Sequence, residues 1–307
     1  MNIFHMNICI MPRPRGVTYN NQETTTTTTS YFLSTSVVNA VNDMKTKIDS
    51  SNTELMEICN VVNPYQYVFS SISESTPTLI SKINPSSNFY YELREIINSF
   101  GFLRMIYSSV LYIGENIKSD NTINLLFTSS RIVCTSKLEN ESQFDIAIMT
   151  ISSLPYIKDV LASLNIHASL IIKISNITNK ESVNKLYFLS MTFEKVYMVK
   201  PSVVNILSDD IFIVCISLIK NWKTFADIDL NIIEIPNIFL TKIEEFNSIN
   251  GHVQLDAYDQ IFNMFYNRNR TTKMDILKKS NIQKSQLWCD KNNVPYNKLG
   301  DRVNIFL

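Results

Sequence analysis

The sequence predicts an α/β fold built on a doubly wound sheet of parallel strands. Short runs rich in Ile, Val and Phe recur through its middle, at residues 104–114, 123–130, 131–136, 144–152, 169–175, 194–202 and 210–219. Most of them are apolar throughout, which is typical of strands buried on both faces. Two segments with helical spacing, 154–166 and 180–193, lie between the later runs. Strands that alternate with helices in this way predict parallel pairing with helices on both faces.

The regions on either side of these runs are predicted to be helical. The spacing of apolar residues predicts helix within 36–62 and again at 89–103, where Gly101 ends it. Three more helical stretches follow residue 237, at 240–249, 254–272 and 273–294. The expected organisation is a disordered lead-in with a run of six threonines (1–35), a helical N-terminal region (36–103), a sheet domain (104–236) and a C-terminal helical extension (237–307).

Composition and charge exclude several classes of protein. The 28 basic and 28 acidic residues cancel, which argues against a nucleic-acid footprint spread over the whole surface. The five cysteines are widely separated and form no Cys-x-x-Cys pair, so we expect reduced thiols rather than disulfides or a zinc site. No apolar run reaches the roughly 18 residues that a membrane span requires. A cytoplasmic protein, in a host cell or a virion, is therefore expected, with no membrane and no metal.

Glycine is unusually scarce. The chain has five glycines, whereas an average usage of about 7% would give roughly twenty. No Gly-x-Gly-x-x-Gly motif and no P-loop can be written with them, so a nucleotide site built on close backbone approach is not expected. The many Asn, Ile, Lys and Ser residues suggest an AT-rich genome, as many viruses have.

Four sequence features occur in an order that suggests a catalytic site. They are the helix FYYELREI, the strand FDIAIM followed by Thr150, the strand SLIIKIS that contains Lys173, and the stretch VKPSVVNILSDDIFIVC, in which Asp209 and Asp210 open a strand. This arrangement resembles the FtsJ-like family of ribose 2′-O-methyltransferases, which includes the cap methyltransferases of large DNA viruses. The resemblance covers about residues 89–297 and is best over 144–215.

The resemblance implies a Rossmann-like fold that binds S-adenosylmethionine and a Lys-Asp-Lys-Glu catalytic set. It places the general base, a lysine of lowered pKa that deprotonates the ribose 2′-hydroxyl, at Lys173. The glutamate of the set corresponds to Asp210, which keeps the carboxylate on a side chain that is one methylene shorter. The aspartate falls on Thr150 and the first lysine on Glu92, so both of these positions are changed.

The cofactor loop of the family is reduced to a remnant in this sequence. After the strand VLYI only Gly114 remains of the glycine-rich turn, and Tyr112 stands where the family has an acid. A loop that cannot bring backbone N–H groups to the methionine moiety is expected to bind S-adenosylmethionine poorly or not at all.

Three functions remain open from the sequence. The first is a degenerate methyltransferase fold that has lost its chemistry and cofactor and serves as a scaffold subunit with a protein partner in viral mRNA capping or transcription. The second is an active cap 2′-O-methyltransferase that uses S-adenosylmethionine and Lys173, with Glu92 or Asp145 in altered roles. The third is an RNA-binding module for capped mRNA, which would need a basic groove beside the carboxyl ends of the strands.

Each of these residues also has a plainer interpretation. Lys173 could be an edge lysine that reaches solvent along its stem, and Asp209 and Asp210 could form a solvated turn. His167 is predicted to be a surface residue, because no second ligand lies at metal spacing nearby. Trp288 and Tyr266 are predicted to be core anchors of the C-terminal extension.

Overall fold

The protein folds around a mixed sheet of seven strands. The computed structural model describes residues 6–14, 35–48, 52–69, 80–102, 107–114, 121–128, 131–135, 143–150, 157–175, 177–220, 223, 234–267 and 270–297. The strands are β1 Asn7–Ile10, β2 Ser109–Ile113, β3 Arg131–Thr135, β4 Phe144–Met149, β5 Leu164–Ile174, β6 Phe193–Lys200 and β7 Ile211–Leu218. The helices are α1 Thr35–Thr46, α2 Thr53–Val62, α3 Phe89–Ser99, α4 Thr122–Leu126, α5 Ile157–Ala162, α6 Lys180–Thr192, α7 Asn237–Phe265 and α8 Arg270–Lys291, with one 3₁₀ turn at Gln66–Val68.

The strands lie in the order β1-β6-β7-β5-β4-β2-β3. Strands β3, β2, β4 and β5 pair in parallel, whereas β7 is antiparallel to both of its neighbours and β1 is antiparallel to β6. The chain passes from β2 to β3 on one side and then returns to β4 on the other. This reversal makes a topological switch point between β2 and β4, and in open α/β sheets ligands bind at such a point, beside the carboxyl ends of the strands.

Helices cover both faces of the sheet, as the apolar strands predicted. On one face, side chains such as Met149, Ile172 and Met198 pack with α5, α6 and the first half of α7. On the other face, residues such as Ile148 and Phe212 pack with α3, α4 and α8. Because successive side chains of a strand point to opposite faces, residue parity assigns the central positions of the strands to one of these two layers.

The α/β class and its helix-covered sheet are confirmed, and several predicted elements are corrected. The run at 123–130 contains the helix α4 and not a strand. Residues 7–10, within the expected disordered lead-in, form β1 and close one edge of the sheet against β6. The predicted helices at 240–249 and 254–272 are one continuous helix, α7. The sheet is mixed rather than wholly parallel, since β6 and β7 form an antiparallel hairpin.

The N-terminal and C-terminal helices form a separate apolar cluster beside the sheet. Side chains from α1, α2, α7 and α8 pack together with Ile206 of the β6–β7 connection. Within this cluster Gly251 of α7 lies against Val37 of α1: a Cβ added at Gly251 would stand 2.5 Å from Val37 Cγ1. The glycine is therefore the residue that lets the two helices approach each other closely.

Gly251→Ala is expected to lower the free energy of unfolding by about 1 kcal/mol. Overpacking costs about 1–3 kcal/mol, and the better helix propensity of alanine returns about 1 kcal/mol. Val37→Ala removes the clashing methyl groups, so in that background Gly251→Ala should no longer lower the free energy of unfolding. A urea-denaturation cycle over the four proteins measures the coupling, and additive effects of the two substitutions would contradict the contact.

Candidate functional site

Lys173 lies between two carboxylates at the carboxyl end of β5. Its Nζ is 2.6 Å from Oε2 of Glu92 on α3 and 3.2 Å from Oδ2 of Asp210 at the start of β7. The Glu92 side chain is 9% exposed and that of Lys173 is 22% exposed, whereas that of Asp210 is 39% exposed. The structure thus brings together three of the four residues that the resemblance singled out.

Two aromatic rings complete the surroundings of Lys173. Its Nζ is 5.6 Å from the ring centroid of Phe89 and 5.7 Å from that of Phe212, within the range of cation–π contacts. The Phe89 ring also stacks on Tyr112, with 6.2 Å between the centroids. An aromatic layer therefore covers this end of the sheet. The sequence analysis missed Phe89 and Phe212, although the pairing of Lys173 with Phe212 follows from the β5–β7 register.

Strand register explains how these groups meet. Lys173 has the parity of Ile171, so it points to the face that α3 covers. Helix α3 buries this side, including Phe89 and Glu92, against the sheet. Because β7 runs antiparallel to β5, its first residues lie level with the last residues of β5, and this places Asp210 beside Lys173.

The charges around Lys173 favour its protonated form. Burial alone would lower the pKa of Lys173, but the charges of Glu92 and Asp210 and hydrogen bonds to both outweigh it and raise the pKa. Burial raises the pKa of Glu92, and contact with Lys173 opposes this. The amine is therefore held as an ammonium ion, which cannot accept a proton.

The switch point itself lies at Gly114 and Thr150, which follow β2 and β4. The Thr150 N–H donates to the Ile113 carbonyl at 3.1 Å, which holds the two strand ends together. A Cβ added at Gly114 would lie 2.8 Å from the hydroxyl oxygen of Tyr112 and 3.4 Å from Thr150 Oγ1. The space beside this glycine is thus filled by the chain's own tyrosine. The rest of the predicted cofactor-loop remnant, residues 115–120, lies outside the described residues.

Thr150 Oγ1 is buried and has no hydrogen-bond partner within the part of the chain that the structure describes. A threonine hydroxyl is neither an acid nor a base near neutral pH, so it cannot replace the aspartate that the resemblance expects there.

Asp145 lies at the opposite end of the sheet from Lys173. It stands near the start of β4 and accepts hydrogen bonds from the backbone N–H groups of Ser108 and Ser109, from the Ser108 hydroxyl at 2.5 Å and from Asn165 Nδ2 at 2.8 Å. It therefore ties the amino ends of three strands together. Its place rules out the altered catalytic role considered from the sequence.

Asp145→Asn is expected to lower the free energy of unfolding by about 1–2 kcal/mol near pH 7, since it weakens several charge-assisted hydrogen bonds. Burial alone would raise the pKa of Asp145, but the bonds from Ser108, Asn165 and Ser109 lower it. A lowered folded-state pKa means that this stability is present above pH of about 4 and is lost as pH falls through the folded pKa. Urea denaturation at pH 7 and at pH 3 tests this, and an equal difference at both values would contradict it.

Glu95 joins the C-terminal extension to the Lys-Pro-Ser turn. This buried carboxylate accepts hydrogen bonds from Trp288 Nε1 at 3.0 Å, from the Ser202 hydroxyl at 2.5 Å and from the Val203 N–H at 3.3 Å. Trp288 is 4% exposed, so it is a core anchor as predicted, whereas Tyr266 is 78% exposed and is not. Helix α8 is thereby fixed to the hairpin that carries Asp210.

Asp209, which precedes Asp210 in the chain, points to the opposite face of the sheet. Asp209 forms an ion pair with Lys45 of α1 and accepts a 2.9 Å hydrogen bond from Gln254 Nε2 of α7. It is therefore an interhelical contact and not a solvated turn. Lys200, which precedes the proline of the Lys-Pro-Ser turn, also lies on this side and donates to the Ser208 carbonyl at 2.5 Å. The sequence analysis did not single out Lys200.

Two further expectations concern metals and membranes. Within the described ranges, no three His, Cys, Asp or Glu side chains are grouped so that they could hold a metal ion. His167 is exposed, and its Nδ1 lies 2.9 Å from the Ser217 hydroxyl. None of the helices in the described part of the chain is long and apolar enough to cross a membrane.

Comparisons with known proteins give no family. No protein-family model matches the chain, and no curated protein matches it. One of the solved structures that match is an "Alphavirus P23pro-zbd" structure; it is 15% identical with a TM-score of 0.30, and the match covers 40% of this chain and 22% of that chain. The match spans less than a quarter of that structure, and a likeness at this level carries no argument about fold or function.

Proposed function

We propose that this chain is a non-catalytic protein of methyltransferase-like fold that serves as a binding or scaffold subunit. The observation that carries the proposal is the surroundings of Lys173. A general base must offer an unprotonated amine, and here two carboxylates within 3.2 Å hold the amine as an ammonium ion. We assign this acid–lysine–acid arrangement a structural role, as an ion-pair cluster.

The strand ends at the switch point support the same proposal. In this chain the Tyr112 side chain fills the space beside Gly114, and Phe89 stacks on that tyrosine. These rings stabilise the fold where a cofactor would otherwise need an open cleft. The sheet remains useful as a rigid surface after the cofactor site has closed.

The biological setting rests on the resemblance to the FtsJ-like family alone, because a fold does not by itself define a function. On that basis we place the protein in mRNA capping or transcription of a large DNA virus, in the host cytoplasm or the virion, with a protein partner from that machinery.

Calorimetric titration of the purified protein with S-adenosylmethionine and with S-adenosylhomocysteine tests the proposal. We expect no heat of binding with either ligand at millimolar concentration. Micromolar binding would overturn the non-catalytic assignment. In that case a methyl-transfer assay on capped RNA, with Lys173→Ala as the control, would decide whether the protein is an active 2′-O-methyltransferase.

Binding of capped RNA is the second arm of the test. We expect little affinity for a fluorescently labelled capped RNA at either low or physiological salt. A tight complex that weakens steeply with salt would instead identify an RNA-binding module, because release of counterions from phosphates produces that dependence.

A further inference from the structure

A second cluster of charged groups lies on the face of the sheet opposite Lys173. It lines a cleft between α1, α7 and the carboxyl end of β6, which we call the α1/α7 cleft. Lys200 and Asp209 line it from the hairpin, Lys45 from α1 and Gln254 from α7. The separation follows from strand parity: Lys200 has the parity of Met198, which packs on the α7 side of the sheet.

Lys200 is a half-buried amine that is not matched by a carboxylate of its own within the described ranges. Among the described residues its Nζ has one hydrogen bond, to the Ser208 carbonyl, and no acid lies within ion-pair distance. Asp209, which lines the same cleft, is held by Lys45 and Gln254. Asp210 is on the other face with Lys173. The described residues of α7 that line the cleft include no acid and no base.

This environment lowers the pKa of the Lys200 amine. Burial is the main cause and brings the pKa to about 8; the positive charge of Lys45 adds a smaller lowering effect, while Asp209 and Asp210 oppose the shift. A lysine that is desolvated and stands near another cation is the arrangement in which the amine becomes a nucleophile.

The shape of the cleft limits what could reach this amine. It encloses about 60 Å³, which is room for a few water molecules or a group of similar size. One wall consists of Val37, Val38 and Val41 of α1, with Ile211 beside them. A short apolar chain fits against this wall better than a charged group does.

We propose that Lys200 is a reactive amine that forms an imine with short-chain aldehydes entering the α1/α7 cleft. The neutral amine adds to the carbonyl carbon to give a carbinolamine. Its hydroxyl then leaves as water after taking a proton from solvent, and the iminium nitrogen returns a proton to solvent. In the overall reaction, one aldehyde and one amine give one imine and one water molecule, and no oxidant or reductant is required. This site is independent of the proposed function.

The wild-type protein is treated with propanal and sodium cyanoborohydride, which reduces the imine to a stable propyl amine. Peptide mass spectrometry then compares Lys200 with Lys195, an exposed lysine of the same strand. We expect Lys200 to be modified at least about tenfold faster near pH 7.5, because burial brings the pKa of its amine to about 8 and a sizeable fraction of it is therefore neutral there. Cyanoborohydride reduces the protonated imine, so the rates at both lysines carry the same loss of reduction at high pH. The ratio of the Lys200 rate to the Lys195 rate cancels this loss, and it should be largest below about pH 8 and decline above it.

Modification of Lys200 at or below the rate of Lys195 would overturn the proposal, as would a ratio of the two rates that keeps rising beyond pH 9. Lys200→Arg serves as a second readout, because it keeps a cation but cannot form an imine. It should remove the fast-reacting site while its circular-dichroism spectrum matches that of the wild type. Since the comparison within the wild-type protein already decides the outcome, the test does not depend on how well the variant folds.

Discussion

Replacing Glu92 with leucine is expected to lower the free energy of unfolding by about 3 kcal/mol, since removing one partner of a buried ion pair leaves an uncompensated charge in a desolvated site. Glu92 is the closer and more deeply buried of the two acids around Lys173. The remaining pair with Asp210 is more exposed and cannot replace it. The measurement is urea denaturation followed by circular dichroism.

Asp210→Asn is the matched control for this substitution. It removes the other carboxylate, but from a side chain that is 39% exposed and separated from Lys173 by 3.2 Å. Ion pairs that are screened by solvent contribute up to about 1 kcal/mol to the free energy of unfolding. A loss for Asp210→Asn as large as that for Glu92→Leu would contradict the view that burial sets the strength of the cluster.

The double variant Glu92→Leu with Lys173→Met addresses the role of the cluster. Replacing a buried ion pair by apolar side chains of similar size is often neutral or stabilising by about 1–4 kcal/mol. The neighbouring rings of Phe89 and Phe212 supply an apolar setting for both new side chains. We therefore expect the double variant to be at least as stable as the wild type. A double variant less stable than Glu92→Leu alone would show that Lys173 stabilises the fold by some other contact.

The resemblance, which rests on the order of motifs, predicts that Lys173 and Asp210 belong to one site. Strand parity, a local property, then sets the face of the sheet on which Lys173 lies. Neither predicts that Glu92 meets them. The contact depends on how α3 is rotated and shifted over the sheet, which is set by the packing of residues far apart in the sequence. For the same reason the resemblance marked Glu92 as a changed position without indicating a new partner for it.

The misassigned elements have physical causes that differ from case to case. A short apolar run such as INLLF fits a strand or one turn of helix equally well, and periodicity cannot separate the two. Strand β1 has four residues and is specified by its pairing with β6 rather than by local propensity. The gap predicted between residues 249 and 254 contains Gly251, and glycine is unfavourable inside a helix. The helix α7 nevertheless continues through Gly251, where α1 packs closely against it.

The antiparallel hairpin could have been predicted. The ten residues 201–210 connect β6 to β7 without a helix. A parallel pair needs a crossover of a dozen or more residues, usually a helix, whereas antiparallel neighbours can be joined by a short turn. The length of this connection therefore already excluded parallel pairing. The hairpin matters for the site, because it sends Asp210 to one face of the sheet and Asp209 to the other.

Trp288→Ala is expected to lower the free energy of unfolding by about 3–5 kcal/mol, the usual cost of deleting a buried aromatic side chain. The ring is packed edge-on against Tyr91, with 6.1 Å between the centroids. The same substitution removes the Nε1–H donor of the buried carboxylate of Glu95, which then keeps only Ser202 and Val203 among the described donors. Both losses loosen α8 from α3 and from the hairpin.

Trp288→Phe separates the two contributions to this loss. It keeps most of the apolar ring and deletes only the hydrogen bond to Glu95, so a smaller cost of about 1–3 kcal/mol is expected from an acceptor that loses one charge-assisted bond. Hydrogen exchange adds a local readout: in Trp288→Ala the amides of α8 and of residues 202–204 should lose protection together. If α8 alone lost protection, the hairpin would not depend on α8 for its stability. Joint loss would instead mean that α8 holds the hairpin on which both Asp209 and Asp210 depend.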